Sequence, residues 1–92
     1  MPSFEDDVQL IASLFQDGEG HEVRIGVGLL DAIHTDGSFR IYDMKCLDER
    51  HREAALRLIE TYAKNRVNGL HGILSVDQLD EIARLKVLIA SE

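Results

Sequence analysis

Helix-start signals stand near both ends of this chain, and they limit what can lie between. Ser3 sits where an N-cap belongs, with Asp6 at the third helical position and Glu5 and Asp7 in the same first turn. Side-chain oxygens there accept otherwise unpaired backbone N–H groups, and carboxylates favour the positive end of the helix dipole. Phe4, Val8, Ile11 and Phe15 follow at spacings of four, three and four, widened by Ala12 and Leu14. The spacing predicts a helix over Phe4 to Gln16, stopped by Gly18. At the other end, Ser75 and Gln78 read as a capping box, with Leu74 and Leu79 as its hydrophobic staple. Leu79, Ile82, Leu85 and Ile89 form the stripe of that last helix. Val87 and Leu88 lie beside it, so the helix is apolar over more of its surface than one packed face needs.

A third helix is expected from an Asp48 cap to about Asn65, ended by Asn68-Gly69, with a loop through His71-Gly72. Ala55, Leu58, Ile59 and Tyr62 mark its apolar face. Glu53 with Arg57 and Glu60 with Lys64 stand in the favourable i, i+4 order. The segment from His21 to Cys46 reads differently. Val23, Ile25, Val27 and Leu29 alternate with Arg24, Gly26 and Gly28, a period of two that indicates a strand. Phe39 and Ile41 alternate with Arg40 and Tyr42 beyond an Asp36-Gly37 turn, which completes a β-hairpin. The expected class is therefore α+β: an N-terminal helix, a β-hairpin and two C-terminal antiparallel helices packed over it. The alternative is an all-α four-helix domain, with a helix over Glu22–His34 and a short extended segment after it. A lone hairpin is a marginal sheet, so a homodimer that pairs hairpins and covers strand edges is expected as well.

Ninety-two residues bound the chain to one domain, residues 1–92, with an aliphatic core drawn from 26 Leu, Ile and Val residues. Cys46 is the single cysteine, which rules out an intramolecular disulfide and suits a reducing compartment. The first residues lack the basic and apolar regions of a signal peptide, and no apolar run is long enough for a membrane span. The expectation is a cytoplasmic protein without a membrane partner.

Charge is unevenly placed. The first 22 residues hold six acids and no Lys or Arg. Seven of the ten basic residues fall between Arg40 and Arg66, among five acids. Such asymmetry points to a partner or to self-association. The candidate contact residues are Glu5, Asp6 and Asp7 on the first helix, and Arg50, Arg57 and Lys64, which recur every seven residues on the middle helix. A net charge of −7 opposes non-specific nucleic-acid binding, and Asp77, Asp80 and Glu81 would repel phosphate from the final helix.

Motifs for chemistry fail on inspection. The histidines His21, His34, His51 and His71 have no zinc-like spacing with one another or with Cys46. A calcium loop centred on Gly37 would need ligands at Ala32 and His34, which do not serve. The glycines at 18, 20, 26 and 28 lack the Gly-Lys-Ser/Thr of a phosphate loop. Cys46 with His51 is a nucleophile and base only if the fold brings them together with an orienting group. The function expected is a small, acidic, non-enzymatic protein-interaction module or inhibitor that docks to another protein, with no cofactor. The alternative is a dimeric DNA-binding transcriptional regulator using the basic middle helix.

Overall fold

A computed structural model describes residues 3–18, 20–35, 37–65, 70 and 72–91. Both serine caps form. Ser3 Oγ accepts the Asp6 N–H and an Asp6 carboxylate oxygen accepts the Ser3 N–H, each at 3.1 Å, opening α1 (Phe4–Ala12). Ser75 Oγ accepts the Gln78 N–H while the Gln78 amide oxygen accepts the Ser75 N–H, opening α5 (Val76–Ala90). The first helix is interrupted at Ser13, whose hydroxyl donates to the Leu10 carbonyl. Serine hydroxyls bonded back to the preceding turn bend helices, and the chain resumes as the single turn α2 (Leu14–Asp17). Gly18 ends it in an extended conformation, so the stop is steric and not a left-handed cap. A Cβ on Gly18 would lie 2.7 Å from the Leu14 carbonyl oxygen.

The expected hairpin does not form, and the α+β class falls with it. Residues Gly20–Thr35 form one helix, α3, and Ile41–Cys46 form a 3₁₀ helix, with no strand among the described residues. The all-α class of the alternative is observed, but with five α-helices and a 3₁₀ helix among the described residues instead of four helices. The alternation misled because α3 is enclosed on most of its circumference: Ile25, Gly26, Val27, Leu29, Leu30, Ala32 and Ile33 are all buried. A helix enclosed on several sides carries apolar residues at most angles, and a period of two then appears by accident. Burial outweighs the helix-propensity cost of Gly26 and Gly28, roughly 1 kcal/mol each. Of the supposed turn, Asp36 lies outside the described residues; the Gly37 N–H bonds to the Ala32 carbonyl at 2.9 Å and closes the end of α3. Met44 of the 3₁₀ helix and Leu47 just after it are buried, while Ile41 at its start stays exposed.

Asp48 caps α4 (Glu49–Asn65), as its position predicts. The Asn68-Gly69 stop and His71 lie outside the described residues. The expected packing of the last two helices on each other is also corrected: α4 packs chiefly on α1, and α5 on α3. Val8 and Ile11 of α1, Leu29 and Leu30 of α3, and Ala54, Ala55 and Leu58 of α4 belong to one core. Ile82 joins it from α5, with Leu79, Leu85 and Ile89 half-buried against it. Two side-chain links position the rest. Gln9 and Gln78 exchange amide hydrogen bonds between α1 and α5, and Gln9 also donates to the Ile73 carbonyl at 2.9 Å. His34 Nδ1 accepts the N–H of fully buried Leu70 at 2.9 Å.

The helical assignment of residues 20–35 has a direct test. A Cβ on Gly28 meets nothing closer than a Phe39 ring carbon at 3.9 Å. Gly28→Ala is expected to stabilise the protein by about 0.5–1 kcal/mol in urea unfolding, the helix-interior difference between the two residues. Gly18→Ala is expected to lower the unfolding midpoint, because its methyl group collides with the backbone of Leu14.

Candidate functional site

The charged residues singled out from the sequence meet each other inside the molecule. Asp7 lies in the first turn of α1 and is 3% exposed, the one buried charged residue among those described. Arg57 reaches it from α4 in a two-pronged contact, Nε to one carboxylate oxygen at 3.0 Å and Nη2 to the other at 2.9 Å. These hydrogen bonds raise the Arg57 guanidinium above its usual value. Planar guanidinium and planar carboxylate match in both bonds, the strong form of such a pair. Lys64 holds Glu60 at 2.7 Å, which keeps the Glu60 carboxyl below its usual value. Of the six candidate contact residues, Asp7 and Arg57 are thus joined to each other and Lys64 to its helix neighbour. Glu5, Asp6 and Arg50 stay exposed, Asp6 while closing the α1 cap.

Asp6 and Arg50 line one open cleft of about 650 Å³, together with Gln9, Glu22, Asp48 and His51. His51 is held at its edge by the α4 cap. Its N–H and its Nδ1 both lie 2.8 Å from one Asp48 oxygen, and Nδ1 is 2.9 Å from the other. The backbone bond and then the side-chain bond from His51 keep the Asp48 carboxyl below its usual 3.8. A carboxylate orienting an imidazole is half of a nucleophilic relay. Completing it needs a hydroxyl or thiol at the other ring nitrogen, and the hydrogen bonds of His51 among the described residues go to Asp48. Cys46 is exposed at the end of the 3₁₀ helix. No group of three or more His, Cys, Asp or Glu side chains among the described residues could hold a metal ion.

Charge asymmetry in the sequence gave no hint of a different surface. A groove of about 190 Å³ runs between the end of α3, the following segment and α4, walled by Leu29, Ile33, Phe39, Ile41, Ile59 and Tyr62. Its outer lip is unusually apolar for a surface: Ile41 is 83% exposed and the adjacent Tyr42 61%. Along α4, Leu56, Ile59 and Ala63 extend the exposed stripe. Cations border it, with the Arg40 guanidinium 6.0 Å and the Lys45 ammonium 5.8 Å from the Tyr42 ring centre. One signal could have found it. Leu56 falls outside the face assigned to α4, yet stands three and seven residues before Ile59 and Ala63, which gives that helix a second apolar stripe.

No described helix is long and apolar enough to cross a membrane. No family model, no curated protein and no solved structure matches the chain.

The internal ion pair is open to a double-mutant cycle. Arg57→Met, which strands the buried Asp7 carboxylate, is expected to destabilise more than Asp7→Asn, and the double variant less than the two single effects summed. Thermal unfolding of the four proteins gives the coupling. The cap has a pH signature. Because the Asp48 carboxyl titrates below 3.8 in the folded protein, its contribution is present above that value and is lost as pH falls through the lower folded value. Asp48→Ala is expected to lower the midpoint of thermal unfolding at neutral pH, with the gap from wild type closing in that acid range.

Proposed function

We propose that this chain is a small non-enzymatic protein-interaction module or inhibitor that acts by docking to another protein in the cytoplasm. The observation that supports it is the groove between α3 and α4, with its exposed Ile41 and Tyr42 lip. Exposed apolar side chains clustered about a groove are a feature of interaction sites. A partner segment that seats an apolar side chain beside Phe39, Ile59 and Tyr62 would meet Lys45 with a carboxylate, while Arg40 already pairs with Asp43 at 3.5 Å. Glu5, Asp6 and Arg50 remain as outlying polar contacts that set orientation and encounter rate more than affinity. A DNA-binding regulator would need Arg50, Arg57 and Lys64 for phosphate. Arg57 and Lys64 already hold carboxylates, which leaves that reading with less charge than the sequence suggests.

Capture from native lysate by the tagged chain and by Ile41→Asp, at low and at physiological salt, separates these readings. Ile41 touches little of the core at 83% exposure, so the variant keeps its fold, a point that circular dichroism verifies. A dominant protein retained by wild type and lost with Ile41→Asp is expected. An identical retained set for both chains, or retardation of random duplex DNA by both, contradicts the docking reading.

A further inference from the structure

The stripe on α4 has a shape and charge order that select its occupant. Leu56, Ile59 and Ala63 are exposed, and Arg52 precedes them on the same line at i, i+4, i+7 and i+11. Two copies of α4 laid antiparallel about a two-fold axis between residues 57 and 58 would bring Leu56 of each against Ile59 of the other. The same register sets Arg52 opposite Ala63, within a turn of Glu60, and Glu53 within a turn of Lys64. Arg52, Glu53, Glu60 and Lys64 each then lie within a turn of an opposite charge of the second chain, and Leu56 and Ile59 meet apolar residues. A parallel pairing would set Arg52 on Arg52, Glu53 on Glu53 and Glu60 on Glu60, like charges facing each other. The surface is therefore self-complementary in one orientation, the property a two-fold interface requires.

We propose that the exposed face of α4 binds a second copy of this chain in an antiparallel, two-fold helix pair, with Leu56 and Ile59 at its centre. The inference rests on the docking reading, because Ile59 walls the groove as well. Lys64 already bonds to Glu60 of its own chain at 2.7 Å, and Glu53 of the second copy extends that pair into a network. Leu56, 54% exposed in the single chain, becomes buried.

Sedimentation equilibrium at micromolar concentration is expected to give twice the chain mass for wild type and the single chain mass for Leu56→Glu, with both retaining the same circular dichroism. Orientation is read by cross-linking in a Cys46→Ser background. Antiparallel copies hold their two residues 52 eleven positions apart, about 16 Å along the helix. Arg52→Cys and Ala63→Cys are then expected to form a disulfide-linked dimer only when mixed. Glu53→Lys and Lys64→Glu are each expected to weaken the dimer, and the double variant to restore it. A monomeric wild type, or a disulfide formed by Arg52→Cys alone, overturns the proposal. If wild type is monomeric while Ile41→Asp still loses its captured protein, only the helix pair falls and docking stands.

Discussion

The contact between Asp7 and Arg57 is the constraint around which the helices are arranged. A carboxylate that is 3% exposed needs a partner with matching geometry, because an isolated buried charge costs far more than the fold can offset. Arg57 supplies that partner from fifty residues away and does so with two bonds at once. The pair fixes both the distance and the rotation of α1 against α4. Ala54, Ala55 and Leu58 of α4 are fully buried in the core between the two helices, and the two small alanines leave room for close approach. Val8 and Ile11, one and four residues beyond Asp7, are likewise inaccessible.

That pairing also changes what the surface offers. An acidic front and a basic middle look like two docking faces along the linear chain. In the folded molecule they face each other across α1 and α4, and part of the polarity is neutralised internally. The groove beside Ile41 and Tyr42 lies between α3 and the part of α4 that α1 and the 3₁₀ helix do not cover. Its wall is aliphatic and aromatic, and beside it Arg40 and Lys45 lie against a tyrosine ring, Arg40 also paired with Asp43. Recognition by such a surface draws on apolar burial first and on charge for orientation.

The central helix shows how enclosure hides a periodicity. An amphipathic helix at the surface announces itself by one stripe, as α1 does. Neighbours surround α3: α1 and α2, α5 and the 3₁₀ helix. Its glycines and its alternating Val23, Ile25, Val27 and Leu29 then satisfy a strand template better than a helical one. At Gly26, a Cβ would reach the Ile11 carbonyl oxygen at 3.4 Å and the Leu14 side chain at 3.5 Å, so the small residue brings the first helical arm close. Tertiary burial of this kind overrides local propensity, and no window of the sequence contains it.

Local chemistry was decided by the sequence alone. The serine caps, the Asp48 cap and the stripes of α1 and α5 each depend on residues within a few positions of one another, and each could be read without a fold; Gly18 was legible as a stop, but as a cap glycine and not as the steric stop it is. The helical state of residues 20–35, the packing of α4 on α1 and of α5 on α3, the Asp7–Arg57 pair and the groove depend on residues far apart in the chain. Their energies come from burial and from charge geometry that exist only after the chain has closed on itself. Tertiary structure therefore determined which charges were satisfied internally, which helix was enclosed, and which apolar residues were left outside.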